Sequence, residues 1–186
     1  MIRHPSSHRS GLLGFSGRDA VADTIGRRLD DDWHWFRRVS AAGAQPIDGV
    51  AVGPGGIWAF TVQGERGRFS RRNGHWYRWN RSTESWVPWE PLPITTARLA
   101  ARRLGLYLER AGLPPDVFAI LVPPTDMSVE AAPGDGFGLL VEREPERLVP
   151  QMTAEPLLTQ QQVDRVVALL DPRQPLPRLA PSTPRG

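Results

Sequence analysis

Apolar positions along the chain change period several times, and each change marks an element. Val21, Ile25 and Leu29 recur at four-residue intervals, the spacing of one helix face. Ser16 with Asp19 three residues on supplies a start signal for that helix, and Asp30-Asp31-Asp32 closes it. Residues 33–39 are aromatic and β-branched enough for a strand, and 41–45 read as a loop. Ile47–Val52 alternates with period two, Gly53-Pro54-Gly55-Gly56 is a tight turn, and Ile57–Gln63 is a second strand. Gly64–Ser70 continues into a third strand. Asn73-Gly74 is a strong hairpin signal, and His75–Trp79 returns from it. Residues 81–90 are a loop or a short strand.

After Pro93 the period returns to that of a helix. Ile94, Ala97, Ala101, Leu104 and Leu108 form one apolar face, ended by Gly112 and Pro114. Val117–Val122 is a short apolar strand, 123–136 a loop, and Phe137–Val141 a further strand. Thr159 with Gln162 in the capping-box position opens a last helix, whose buried face is Val163, Val166, Val167 and Leu170. Asp171-Pro172 stops it. Strands, helix, strands and helix in that order predict an α/β fold, a mixed β-sheet flanked by helices. The expected organisation is a flexible N-terminal arm over 1–15, one domain over 16–172, and a Pro-rich disordered tail over 173–186.

Composition narrows the chemistry. There is no Cys, which excludes thiol catalysis and thiolate metal sites. Every basic side chain other than His is Arg, so reactions and phosphate loops that need a Lys are excluded. No apolar run approaches the ~18 residues that span a bilayer, and Gly11–Phe15 is too short for a signal segment. A soluble, cytoplasmic protein without a membrane partner is expected.

The turn at Gly53–Gly56 sets a register. If Val52 faces Ile57, then Val50 faces Ala59 and Asp48 faces Thr61. Period-two alternation places Gln63 on the same face. The sequence therefore predicts a cluster of Asp48, Thr61 and Gln63. The stretch from Ile47 to Phe60, with its Ile-Asp start and Gly-Pro-Gly-Gly turn, resembles the core of nuclease-related (NERD) domains. Those read roughly as Ile-Asp-His, three apolar residues, Gly-Pro-x-Gly, then an apolar strand into Glu-x-Lys. Gly67, Trp76 and Pro91-Leu92 match further family positions, and the resemblance spans about residues 16–172. It implies a restriction-endonuclease-like fold: a mixed β-sheet flanked by helices.

The departures bear on activity. The family Glu falls on Thr61 and the Lys on Gln63. The Gln near the long helix falls on Ile94 or close by, and the acidic residue of the first helix falls on Ala22, flanked by Asp19 and Asp23. Asp48 is the one clear survivor, and the only metal ligand the motif would still offer. Such nucleases hold Mg²⁺ on Asp and Glu oxygens, and the ion polarises the phosphate and acidifies a bound water. The resemblance with these losses implies a catalytically inactive nucleic-acid-binding or interaction module that needs no cofactor. The alternative is an active Mg²⁺-dependent DNA nuclease with displaced ligands, Glu65 being a candidate. A purely structural domain is a third reading, and Asp48 could equally be a solvated strand-end carboxylate or a cap.

Arg66, Arg68, Arg71, Arg72, Arg78 and Arg81 crowd one segment, interleaved with Trp76, Tyr77 and Trp79 and close to Trp86 and Trp89. A basic hairpin with aromatic rings can follow a phosphate backbone and stack bases, so DNA is the expected partner. The competing reading packs the aromatics on the sheet and leaves the arginines as a solvated rim. His4 and His8 have helical metal spacing but lie in the arm. His34 and His75 are isolated.

Overall fold

The structure, a computed structural model, describes residues 13–41, 45–123, 126–130 and 139–171. It is α/β, and its strands divide between two sheets rather than entering one. The elements are α1 (Leu13–Gly26), β1 (His34–Val39), β2 (Ile47–Gly53), β3 (Gly56–Thr61), β4 (Gly67–Arg72), β5 (His75–Asn80) and β6 (Ser85–Pro88). They continue with α2 (Leu92–Arg110), β7 (Val117–Leu121), β8 (Met127–Glu130), β9 (Leu139–Val141), a 3-10 turn at Pro145–Leu148 running into α3 (Val149–Met152), and α4 (Gln160–Leu170).

The large sheet has five strands in the order β1-β2-β3-β7-β9. Its first three strands are antiparallel, and β7 and β9 continue in parallel. Every residue of β3 is buried, because the sheet is covered on both faces. Alternation sends Ile57 and Ala59 with Val50 and Val52 into one core, beneath Ile94, Ala97, Leu104 and Leu108 of α2 and Val163 and Val166 of α4. Trp58 and Phe60 with Ala51 enter the other core, against Val21 and Ile25 of α1, Leu148 and Met152. Trp35 lies over Gly49 and Trp33 over Gly53, where any Cβ would collide with the indole. Glycine in β2 thus admits two large rings flat against the backbone.

The small sheet has the order β6-β5-β4-β8. It is reached because the chain leaves β3 after Thr61 and passes Gly64, which sits close against Pro123. Phe69, Trp76 and Trp89 join the α2-side core, with the Phe69 and Trp89 rings 4.2 Å apart.

Several boundaries differ from the sequence reading. The first helix begins at Leu13, so Ser16 lies inside it rather than at its start; no proline interrupts the run. It ends at Gly26, and the amides of Arg28 and Leu29 turn back onto the Ile25 carbonyl, ahead of the Asp triplet. Part of the segment expected to be a loop forms β8, parallel to β4. Its alternation covers only Met127 and Val129, too little to stand out. The last helix has the capping box anticipated at Thr159 and Gln162. Residues 1–12, the 173–186 tail, Phe137 and the His4/His8 pair lie outside the described residues. No helix among the described residues is long and apolar enough to cross a membrane.

The β2–β3 connection is locked from outside. The Pro54 carbonyl accepts the amides of Leu157 and Leu158 at 2.8 and 3.0 Å. A Cβ on Gly55 would overlap the carbonyl oxygen of buried Met152. Gly55→Ala is expected to destabilise the fold by about 1–3 kcal/mol or more, because backbone rather than a flexible side chain must move. Gly26→Ala, with open space around it, serves as the control. Urea unfolding should show a lowered midpoint for the first variant only.

Candidate functional site

The β2–β3 register is the one the turn predicts: Val52 pairs with Ile57, Val50 with Ala59 and Gly49 with Phe60. Extending it by one step would put Asp48 across from Thr61, but the ladder of paired residues stops at Gly49. Asp48 Oδ2 instead accepts the Val62 amide at 2.8 Å. The carboxylate therefore takes the place of a backbone acceptor where β3 runs out, which is the cap reading of this residue.

The partner strand is irregular at the same level. Arg37 pairs with Gly49 and Val39 with Ile47, but Arg38 and Asp48 between them form no ladder pair. Arg38 has φ +53°, a left-handed conformation unfavourable for a side chain larger than glycine. Beyond it the alternation is reset, so that Phe36 and Val39 both pack into the α2-side core.

Asp48, buried Thr61 and Gln63 line one cleft of about 380 Å³ between these strand ends and α2. The cleft wall also carries Arg38, Gln45, and Thr96 and Arg103 of α2. Thr96, Ala100 and Arg103 are spaced at i, i+4 and i+7, a stripe beside the buried face of that helix. Sequence reasoning brought the first three residues together. It did not find Arg38 or Arg103, because neither strand–helix packing nor a left-handed residue can be read from local pattern.

No second carboxylate among the described residues lines this cleft. Glu65, the candidate displaced ligand, accepts the Trp89 indole N–H through Oε2 at 3.2 Å. Ile94 and Ala22 are buried, and α1 packs on the opposite face of the large sheet. Among the described residues no group of three or more His, Asp or Glu side chains is placed to share a metal ion.

The arginine-rich segment is sorted by the alternation of the small sheet. Phe69, Arg71, Trp76 and Arg78 share its inner side, through the pairs Phe69–Arg78 and Arg71–Trp76. Trp76 packs on the core and the Arg71 Nε is buried, so these two are only partly exposed. The outer side carries Arg68, Arg72, Tyr77, Trp79 and Trp86. Trp79 and Trp86 are directly opposed, with ring centroids 5.3 Å apart, edge to face. The Arg72 guanidinium lies 4.7 Å from the Trp86 ring, and Arg68 lies 5.8 and 5.9 Å from the Trp79 and Trp86 rings. Such stacking holds the cations in place at low entropic cost.

At one end of this sheet a groove of about 840 Å³ is lined by Arg66, Arg68, Arg78, Arg81 and Arg143, with Asp126 the acidic residue among them. Asp126 is paired to Arg143 at 2.6 Å, and Arg68 to Glu130 at 2.9 Å. Arg143 was not anticipated; it arrives from beyond β9, far away in sequence. No protein family, curated protein or solved structure matches this chain.

The cap geometry sets an expectation for Asp48. Asp48→Ala leaves the Val62 amide without its acceptor and is expected to cost about 1–2 kcal/mol of stability. Asp48→Asn keeps a carbonyl acceptor and should cost clearly less. Thermal or urea unfolding of the two variants measures the difference, and equal losses would contradict the capping role.

Proposed function

We propose that this chain is a nuclease-related domain on a restriction-endonuclease-like fold that binds nucleic acid without cleaving it. The observation that carries the reading is the division of charge between the two concavities. Among the described residues, the cleft where the resemblance puts the metal has one carboxylate, and that carboxylate is hydrogen-bonded to a backbone amide. Among the described residues, the groove on the small sheet is lined by five arginines and one acid. Mg²⁺ retains several waters and needs anionic oxygens to stay beside a phosphate. Thr61 offers a neutral hydroxyl, and Gln63 cannot replace the ammonium of a Lys.

The binding side of the proposal rests on phosphate chemistry. Guanidinium forks match phosphate oxygens, and the neighbouring Trp79 and Trp86 provide ring surface for unpaired bases. The contacting set is therefore Arg66, Arg68, Arg72, Arg78, Arg81 and Trp79. Arg71 and Trp76 support it from the inner side.

Fluorescence anisotropy with labelled single-stranded and duplex DNA across a salt series tests this. Affinity should fall steeply with salt, and Arg66→Gln with Arg81→Gln should reduce the log–log slope by about 0.7–0.9 per lost phosphate contact. Arg27→Gln, in the turn just after α1, should leave it unchanged. The same protein should leave DNA intact in Mg²⁺, and Mg²⁺-dependent cleavage abolished by Asp48→Ala would establish the active-nuclease reading instead. Absence of binding at low salt would reduce the arginines to a solvated rim.

A further inference from the structure

We infer that the cleft at Asp48 is a binding site for a phosphate monoester, held directly by arginines and hydroxyls rather than through a metal ion. Among the described residues, two guanidinium groups, from Arg38 and Arg103, line it against one carboxylate. The carboxylate already accepts the Val62 amide. The other polar lining groups, Thr61, Thr96, Gln45 and Gln63, can all donate hydrogen bonds to an anion. This charge balance repels a divalent cation and attracts a divalent anion.

The backbone supports the assignment. Arg38 holds its left-handed conformation at the position facing Asp48, where the β1–β2 ladder is interrupted. Such a conformation costs about 1 kcal/mol or more and persists where the surroundings impose it, often at ligand sites. On the facing wall, Ala100 leaves room between Thr96 and Arg103 along α2. A volume of about 380 Å³ sits at the lower end of small-ligand sites. It suits a phosphate with an attached sugar and is too small for a duplex. None of the small-sheet arginines lines this cleft, so the inference stands whether or not that sheet binds nucleic acid.

The test is an amide-resolved NMR titration of the whole protein with inorganic phosphate, deoxyadenosine 5′-monophosphate and deoxyadenosine. Saturable shifts are expected at Thr61, Val62, Gln63 and Thr96 with the first two ligands and none with the nucleoside. Arg103→Gln, an exposed helix position, should weaken the nucleotide about tenfold, as loss of one charge-assisted contact implies. Arg27→Gln, which lines neither cleft nor groove, should leave that affinity unchanged. A 5′-phosphorylated trinucleotide run beside its 5′-hydroxyl form identifies the source. Tighter binding than the mononucleotide, dependent on the phosphate, means a nucleic-acid end; otherwise the ligand is a free nucleotide. Non-saturating shifts, equal binding of deoxyadenosine, or indifference to Arg103→Gln would overturn the inference. So would saturable shifts with Mg²⁺ alone that disappear in Asp48→Ala.

Discussion

Burial of β3 on both faces is the constraint from which the rest of the architecture follows. A strand with no solvent side cannot slip by one residue, since every side chain would then change core. Ile57 and Ala59 would meet α1, and Trp58 and Phe60 would be forced under α2. The short Pro54-Gly55 connection delivers β3 in the required register, and Met152, Leu157 and Leu158 clamp that connection from outside. Because β2 and β3 are fixed in this way, the residues at their far ends are fixed as well.

At that far end the large sheet unravels in an orderly manner. β3 stops at Thr61, β1 twists at Arg38, and the Asp48 carboxylate stands in for the missing backbone acceptor. A carboxylate satisfied by an amide gains charge-assisted hydrogen-bond energy and is a poorer partner for a hydrated divalent ion. The neutral side chains of Thr61 and Gln63 and the presence of Arg38 and Arg103 act in the same direction. Among the described residues the cleft has an anion-accepting balance of charge. On the small sheet, alternation separates a packing side, with Phe69 and Trp76, from a side where tryptophan rings support arginines.

Much of this is legible in the sequence, and the parts that are not have identifiable causes. The meeting of Asp48, Thr61 and Gln63 followed from one glycine-rich turn and the period of a strand, both local. The capping box at Thr159 and the apolar face of α2 were equally local. The split into two sheets was not visible, because it depends on β7 rather than β4 pairing with β3, a long-range choice. β8 was missed because two alternating apolar residues fall below any pattern threshold. That Arg71 and Trp76 share a side with Phe69 is not legible locally, since a run of arginines hides the alternation until cross-strand partners are known. Arg38, Arg103 and Arg143 reach their clefts through a left-handed residue, a helix face and a crossover, none of which leaves a local signature.

The central claim is that Asp48 serves the backbone and not a metal. Mn²⁺ takes the same oxygen ligands as Mg²⁺ and broadens nearby amide resonances, so it reports occupancy of the cleft directly. Titrating the protein with Mn²⁺ at millimolar concentration should produce no selective broadening at Thr61, Val62 and Gln63, and the Val62 amide should remain protected from hydrogen exchange. Selective broadening of those three resonances, removed by Asp48→Ala, would contradict the account.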